Sequence, residues 1–188
     1  QLGLDRSVFP VGAWTRRPEG IFADVEEFGS AFLVSAGAIS VFVTAKHVVT
    51  KLAEDAYSVM LISPARPRRW LARRVRKFWF HEIADVAIGL IHVPEHARSW
   101  LKPLALDLNE APARMKVAAY GFPNTLPEVR LEQEGSSVRM HFWPATSEGE
   151  IVEFNAERSL LAKGPNYSTT CRIGHGLSGG PLLTRARG

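Results

Sequence analysis

Residues 29–49 read GSAFLVSAGAISVFVTAKHVV, and this stretch decides the fold. GSAFLVS (29–35) and ISVFVT (39–44) are rich in β-branched and aromatic residues, and the small residues Ala36, Gly37 and Ala38 separate them. Such a pair predicts a β-hairpin, because branched and aromatic side chains fit a pleated, half-buried surface. AKHVVTKLA (45–53) carries apolar residues at helical spacing but is short, so one or two helical turns are expected from near His47.

Downstream, SVMLIS (58–63) reads as a strand, and WLARRVRKFWF (70–80) as a strand with one wet face. DVAIGLI (85–91) is a nearly continuous apolar run, as a buried strand requires. From His92 to Pro112 three prolines, scattered charges and no sustained period predict a linker. MKVAAYG (115–121) then restarts strand-like sequence and ends in the turn signal Gly121-Phe122-Pro123. VRLEQEG (129–135) and SVRMHFWP (137–144) read as a second hairpin. EIVEFNA (150–156), RSLLAK (158–163) and GGPLLT (179–184) read as three further strands. About a dozen short strands with little helix predict an all-β barrel or sandwich. The linker divides it into two units of similar size.

The composition agrees. The chain has 188 residues, 46% hydrophobic and 22% charged, which excludes a disordered chain and allows a sizeable core. A net charge of +4 permits acidic partners without demanding them. Cys171 is the sole cysteine, so no disulfide can form within the chain, and a reducing, cytoplasmic setting is expected. No His-x-x-x-His or Cys-x-x-Cys spacing suggests zinc, and no apolar run is long enough to span a bilayer. No metal, cofactor or membrane is therefore expected. The first residue is Gln1 rather than Met, so an upstream segment is expected.

Three segments carry chemistry. In GHGLSGGP (174–181), Ser178 sits among Gly174, Gly176, Gly179 and Gly180. Glycine permits backbone conformations that aim successive N–H groups at one point, as stabilising an oxyanion requires. Serine is a weak nucleophile at neutral pH and needs a base within reach. His47, at the end of FVTAKH (42–47), suits that task. Asp85 heads the apolar run ADVAIGLI (84–91), where a buried carboxylate needs a partner such as a histidine N–H. Taken singly, each has a plain structural reading: a tight turn, an ordinary histidine, a strand cap. Taken together, the order His, Asp, Ser is one of the chain orders of the acyl-transfer triad. The linker falls between Asp85 and Ser178.

These segments resemble the trypsin-like (chymotrypsin-fold) serine peptidases, especially their disulfide-free bacterial branch. GSAFLVS and FVTAKHVV are similar to that family's first hairpin and histidine segment, and ADVAIGLI to its aspartate strand. AAYGFP (118–123) is similar to the opening of its second barrel, and GHGLSGGPLL to its serine segment. The resemblance implies two six-stranded antiparallel β-barrels with the active site in the cleft between them. The N-terminal barrel would cover about 20–95, the linker 96–113 and the C-terminal barrel 114–188, all in one domain. It implies a serine endopeptidase with His47, Asp85 and Ser178 as triad, and the Gly176 and Ser178 N–H groups as oxyanion hole. The substrate would be a polypeptide, with no cofactor.

Two departures stand out. Leu177 occupies the place of the aspartate that pairs with a newly cut N-terminus in zymogen-activated members. Ten residues follow Ser178, where the family continues with further strands, so the second barrel is expected to lack its last strands. Arg172, six residues before Ser178, falls where the family's specificity pocket has its base. With His175 it would favour an acidic side chain before the cut bond, although a solvent-facing arginine is the preferred reading. A regulatory segment or partner outside these residues is expected for a peptidase in a reducing compartment. Two competing readings are a catalytically silent domain that binds peptides and a nucleic-acid-binding barrel. The latter would use ARPRRWLARRVRK (65–77), with six Arg, one Lys and Trp70, and is the less favoured.

Overall fold

The structure is a computed structural model that describes residues 4–16, 22–36, 39–50, 57–62, 70–93, 95, 99–123, 126–132, 135–157 and 163–184. It is mostly β, and its helical elements include a short 3-10 turn (Leu4–Arg6) and a helical turn, α1 (Lys46–Val49).

The first half comprises β1 (Val8–Arg16), β2 (Phe22–Ala36), β3 (Ile39–Thr44), β4 (Tyr57–Ile62), β5 (Trp70–Phe80) and β6 (Ala87–Ile91). Their order β1-β2-β3-β6-β5-β4 closes on itself through antiparallel ladders, because β1 pairs with β4 as well as β2. Inside, Phe42 lies edge-on to Phe9 and to Phe78, at centroid distances of 6.1 and 6.0 Å. This edge-to-face packing lets three rings fill the barrel without stacking face to face. Val11, Ala31, Leu33 and Ile91 complete the core around them.

The barrel thus begins at Val8, and the boundary expected near residue 20 is corrected. β1 was not legible because VFPVGAWTR contains Pro10 and Gly12, which read as breakers. Tertiary pairing overrides them: Val8, Phe9 and Val11 are all buried.

The segment after β6 is strapped to the first barrel rather than free. Val93 and Leu101 enter its core. Lys102 N–H donates to Arg6 O at 2.9 Å and Leu104 N–H to Leu33 O at 2.8 Å. These bonds satisfy backbone groups that would otherwise be buried unpaired.

The second half contains β7 (Lys116–Gly121), β8 (Leu126–Glu132), β9 (Gly135–His141), β10 (Ala145–Asn155), β11 (Asn166–Thr169) and β12 (Leu182–Thr184). Four of these form an antiparallel sheet in the order β11-β10-β7-β12, and β8 and β9 form a separate hairpin. A second closed six-stranded barrel is not seen among the described residues, where β11 and β12 have one strand partner each. A smaller core of Val117, Ala119, Ile151 and Cys171 underlies the sheet. The strand expected at 158–163 lies almost wholly outside the described residues. No helix among the described residues is long and apolar enough to cross a membrane.

Candidate active site

α1 follows β3 directly and is held by burial of Val48 and Val49 in the barrel core. A helix start leaves N–H groups without intrahelical partners. Ala45 makes no side-chain cap here. Asp85 fills that role from another part of the chain: His47 N–H donates to Asp85 Oδ1 at 2.8 Å and Lys46 N–H to Asp85 O at 3.3 Å. The second carboxylate oxygen, Oδ2, bonds His47 Nδ1. One carboxylate thus fixes both the backbone and the ring of His47. With Nδ1 engaged, the nitrogen left for other chemistry is Nε2.

Asp85, expected as the buried head of the strand, precedes it and is exposed. It lies in the loop His81–Val86, two residues before β6, and its side chain is 53% exposed while that of His47 is 57% exposed. An ion pair this wet contributes roughly 0–1 kcal/mol to stability. Its geometry serves orientation more than folding.

Ser178 sits in the turn from Gly174 to Pro181, between β11 and β12. Leu177 N–H donates to Gly174 O at 3.2 Å and Gly180 N–H to Leu177 O at 2.9 Å, giving two linked turns. Gly176 and Gly179 have φ of +79° and +84°, a region that side chains resist. A Cβ on Gly176 would lie 2.6 Å from Pro123 Cα. Among the described residues, the Gly176 and Ser178 N–H groups are not given to any protein acceptor.

Ser30 on β2 anchors this turn. Its N–H donates to Ser178 O at 2.8 Å and its hydroxyl donates to Gly176 O at 2.5 Å. The same hydroxyl accepts from Phe122 N–H at 2.9 Å, and the Ser30 carbonyl accepts from Thr44 Oγ1 at 2.8 Å. Ser30 is fully buried, so each bond acts in a site that water does not compete for. It ties the Ser178 turn and the end of β7 to the barrel that carries His47. The only hint in the sequence is a lone hydroxyl inside the apolar run SAFLV. Ser30→Ala leaves the Gly176 carbonyl and the Phe122 N–H buried without this partner. Urea unfolding should show a loss of about 1–3 kcal/mol.

His47 and Asp85 are bonded to each other, and Gly29 lies against both α1 and the Ser178 turn. A Cβ on Gly29 would touch both Val48 Cγ1, at 2.6 Å, and Ser178 O, at 3.0 Å, so a side chain there would press on α1 and on the Ser178 turn together. Among the described residues no hydrogen bond joins the His47 ring to the Ser178 hydroxyl. Such bonds are often long without substrate and tighten in the complex.

Other expected residues fall nearby. Arg172 and His175 are exposed, and the Arg172 N–H donates to Ser147 Oγ on β10 at 2.7 Å. Leu177 is buried, with Cδ2 3.1 Å from where a Gly121 Cβ would be, so this position is occupied by packing. Cys171 is a buried core residue. Of the basic stretch, 65–69 lies outside the described residues, while Arg76 and Lys77 are exposed on β5 with Lys77 Nζ 5.1 Å from the Trp79 ring centroid. The described residues hold no group of three or more His, Cys, Asp or Glu able to bind a metal.

The family profile of the trypsin-like peptidase domain matches residues 29–188. The chain belongs to this family. Its trypsin-like fold is similar to the crystal structure of Deg5, with a TM-score of 0.63 and 21% identity, over 96% of this chain and 75% of that one. A search of curated proteins returned no match. In this trypsin-like domain His47 and Asp85 lie on the first half and Ser178 on the second.

Proposed function

We propose that the trypsin-like domain is a serine endopeptidase that cleaves polypeptides through an acyl-enzyme. The observation that carries this reading is the Asp85–His47 bond, set beside a glycine-bounded serine turn whose N–H groups at 176 and 178 are unclaimed among the described residues. Ser178 Oγ attacks the scissile carbonyl while His47 Nε2 takes its proton. Asp85 holds the tautomer that leaves Nε2 free and stabilises the imidazolium. The Gly176 and Ser178 N–H groups receive the developing oxyanion. His47 returns the proton to the leaving amine, and water then hydrolyses the ester by the same steps. Neither metal nor cofactor enters this scheme. Arg172, exposed beside the turn, would prefer an acidic residue before the cut bond by charge pairing.

A fluorophosphonate probe reacts with activated serines and supplies the test. The intact chain should label at Ser178, and Ser178→Ala should not label. An unlabelled, folded chain would instead support a silent peptide-binding module.

A further inference from the structure

The loop that presents Asp85 is built around a second histidine. His81 opens it directly after β5, and its N–H donates to Val86 O at 2.9 Å, closing the loop. Inside, His81 Nδ1 accepts from Ile83 N–H at 3.2 Å and from Ala84 N–H at 2.9 Å. The His81 carbonyl accepts from Lys46 Nζ at 3.0 Å, one residue before His47. Two donors converging on Nδ1 require a lone pair there, so the ring is neutral with its proton on Nε2.

We propose that His81 is a positioning residue for Asp85: its neutral ring shapes the loop that brings the Asp85 carboxylate onto His47. Without the Nδ1 acceptor the Ile83 and Ala84 N–H groups lose their ring partner. The residues just before Asp85 then lose their internal support. Asp85 in turn loses its hold on the His47 N–H and ring. An oxygen acceptor can replace the ring nitrogen. Asp107 already does so elsewhere in the chain, accepting the Asn109 N–H at 3.0 Å.

The role of His81 in the loop stands apart from the peptidase reading; only its consequence for activity rests on it. The test is therefore made by NMR on the whole chain. Long-range nitrogen–proton spectra should show His81 with a bare Nδ1. His81→Ala should exchange at the Ile83, Ala84 and His47 amides about tenfold faster at neutral pH. His81→Asn should restore protection, while β3 amides stay unchanged in all three proteins at that pH. A proton on His81 Nδ1, or a His47 amide indifferent to both variants, would overturn the proposal. If His81→Ala does not fold, the wild-type nitrogen–proton spectra and His81→Asn decide alone. Fluorophosphonate labelling is followed in parallel: a chain that never labels overturns the peptidase reading, and the exchange data still decide the role of His81.

Discussion

Changing His47 to alanine is expected to lower kcat/KM on a peptide substrate by about a million-fold, the loss seen when the histidine of a serine protease is removed. The side chain is half-exposed and lies outside the barrel core, whose nearest contributors are Val48 and Val49. Thermal unfolding should therefore be nearly unchanged, which separates loss of chemistry from loss of fold. Asp85→Asn should cost less, about ten-thousand-fold, because an amide still bonds the ring but stabilises the wrong tautomer. Asp85 also caps α1 through the His47 N–H, so this variant should loosen the first turn of α1 slightly. A steady-state comparison of the two variants checks both the order and the gap. Equal losses would mean that Asp85 does more than orient His47, and an active His47→Ala would remove it from the mechanism.

Gly179→Ala is expected to have the largest effect on folding. At φ +84° an alanine is strained before any contact is considered. Its Cβ would also lie 2.7 Å from Ala45 N and against Ser30 O and Thr44 Oγ1. Ser30 O and Thr44 Oγ1 are bonded to each other, and none of the three atoms is the end of a long, yielding side chain. The turn must withdraw or β2 and β3 must shift. Either movement breaks the Ser30 N–H to Ser178 O bond, and the total should exceed about 4 kcal/mol, in the rare tail of single substitutions. Differential scanning calorimetry should show a Tm lowered by more than about 8 °C or no cooperative transition. The protein that remains folded should fail to label with fluorophosphonate. A Tm within a few degrees of wild type would show that the contact between the halves is softer than these distances imply.

The strands that were legible have strong local patterns. ISVFVT and WLARRVRKFWF were read with the bounds that β3 and β5 have. Their branched and aromatic residues favour extended chain whatever their partners. Two strands were not legible. β1 contains Pro10 and Gly12, and β11 (NYST) is short and polar; each exists because a neighbour supplies its hydrogen bonds, β2 and β4 for the one and β10 for the other. Closure was legible only in part as well. Local pattern says that strands form, whereas closure depends on which edges find partners.

The site divides in the same way. His47, Asp85 and Ser178 could be chosen from the sequence because acyl transfer accepts few residue types, and glycines flank the serine for a backbone reason. The groups that hold them were hidden. Ser30 lies 146 residues from Gly176, and a buried serine hydroxyl in a strand looks like any other until its two partners are known. His81 reads as one more exposed histidine until Ile83 and Ala84 turn their N–H groups toward it. Asp85 was expected buried at the head of a strand and instead stands half-exposed in the loop before β6, where one carboxylate caps α1 and holds the ring. The sequence by itself determined the strand-rich class, the family and the candidate reactive side chains, since these follow from local pattern and from the chemistry of single residues. Only the tertiary structure decided which half closes, how far the Asp85 pair is exposed and what anchors the Ser178 turn. Those depend on hydrogen bonds between segments far apart in the chain, which form only when burial leaves no water to take their place.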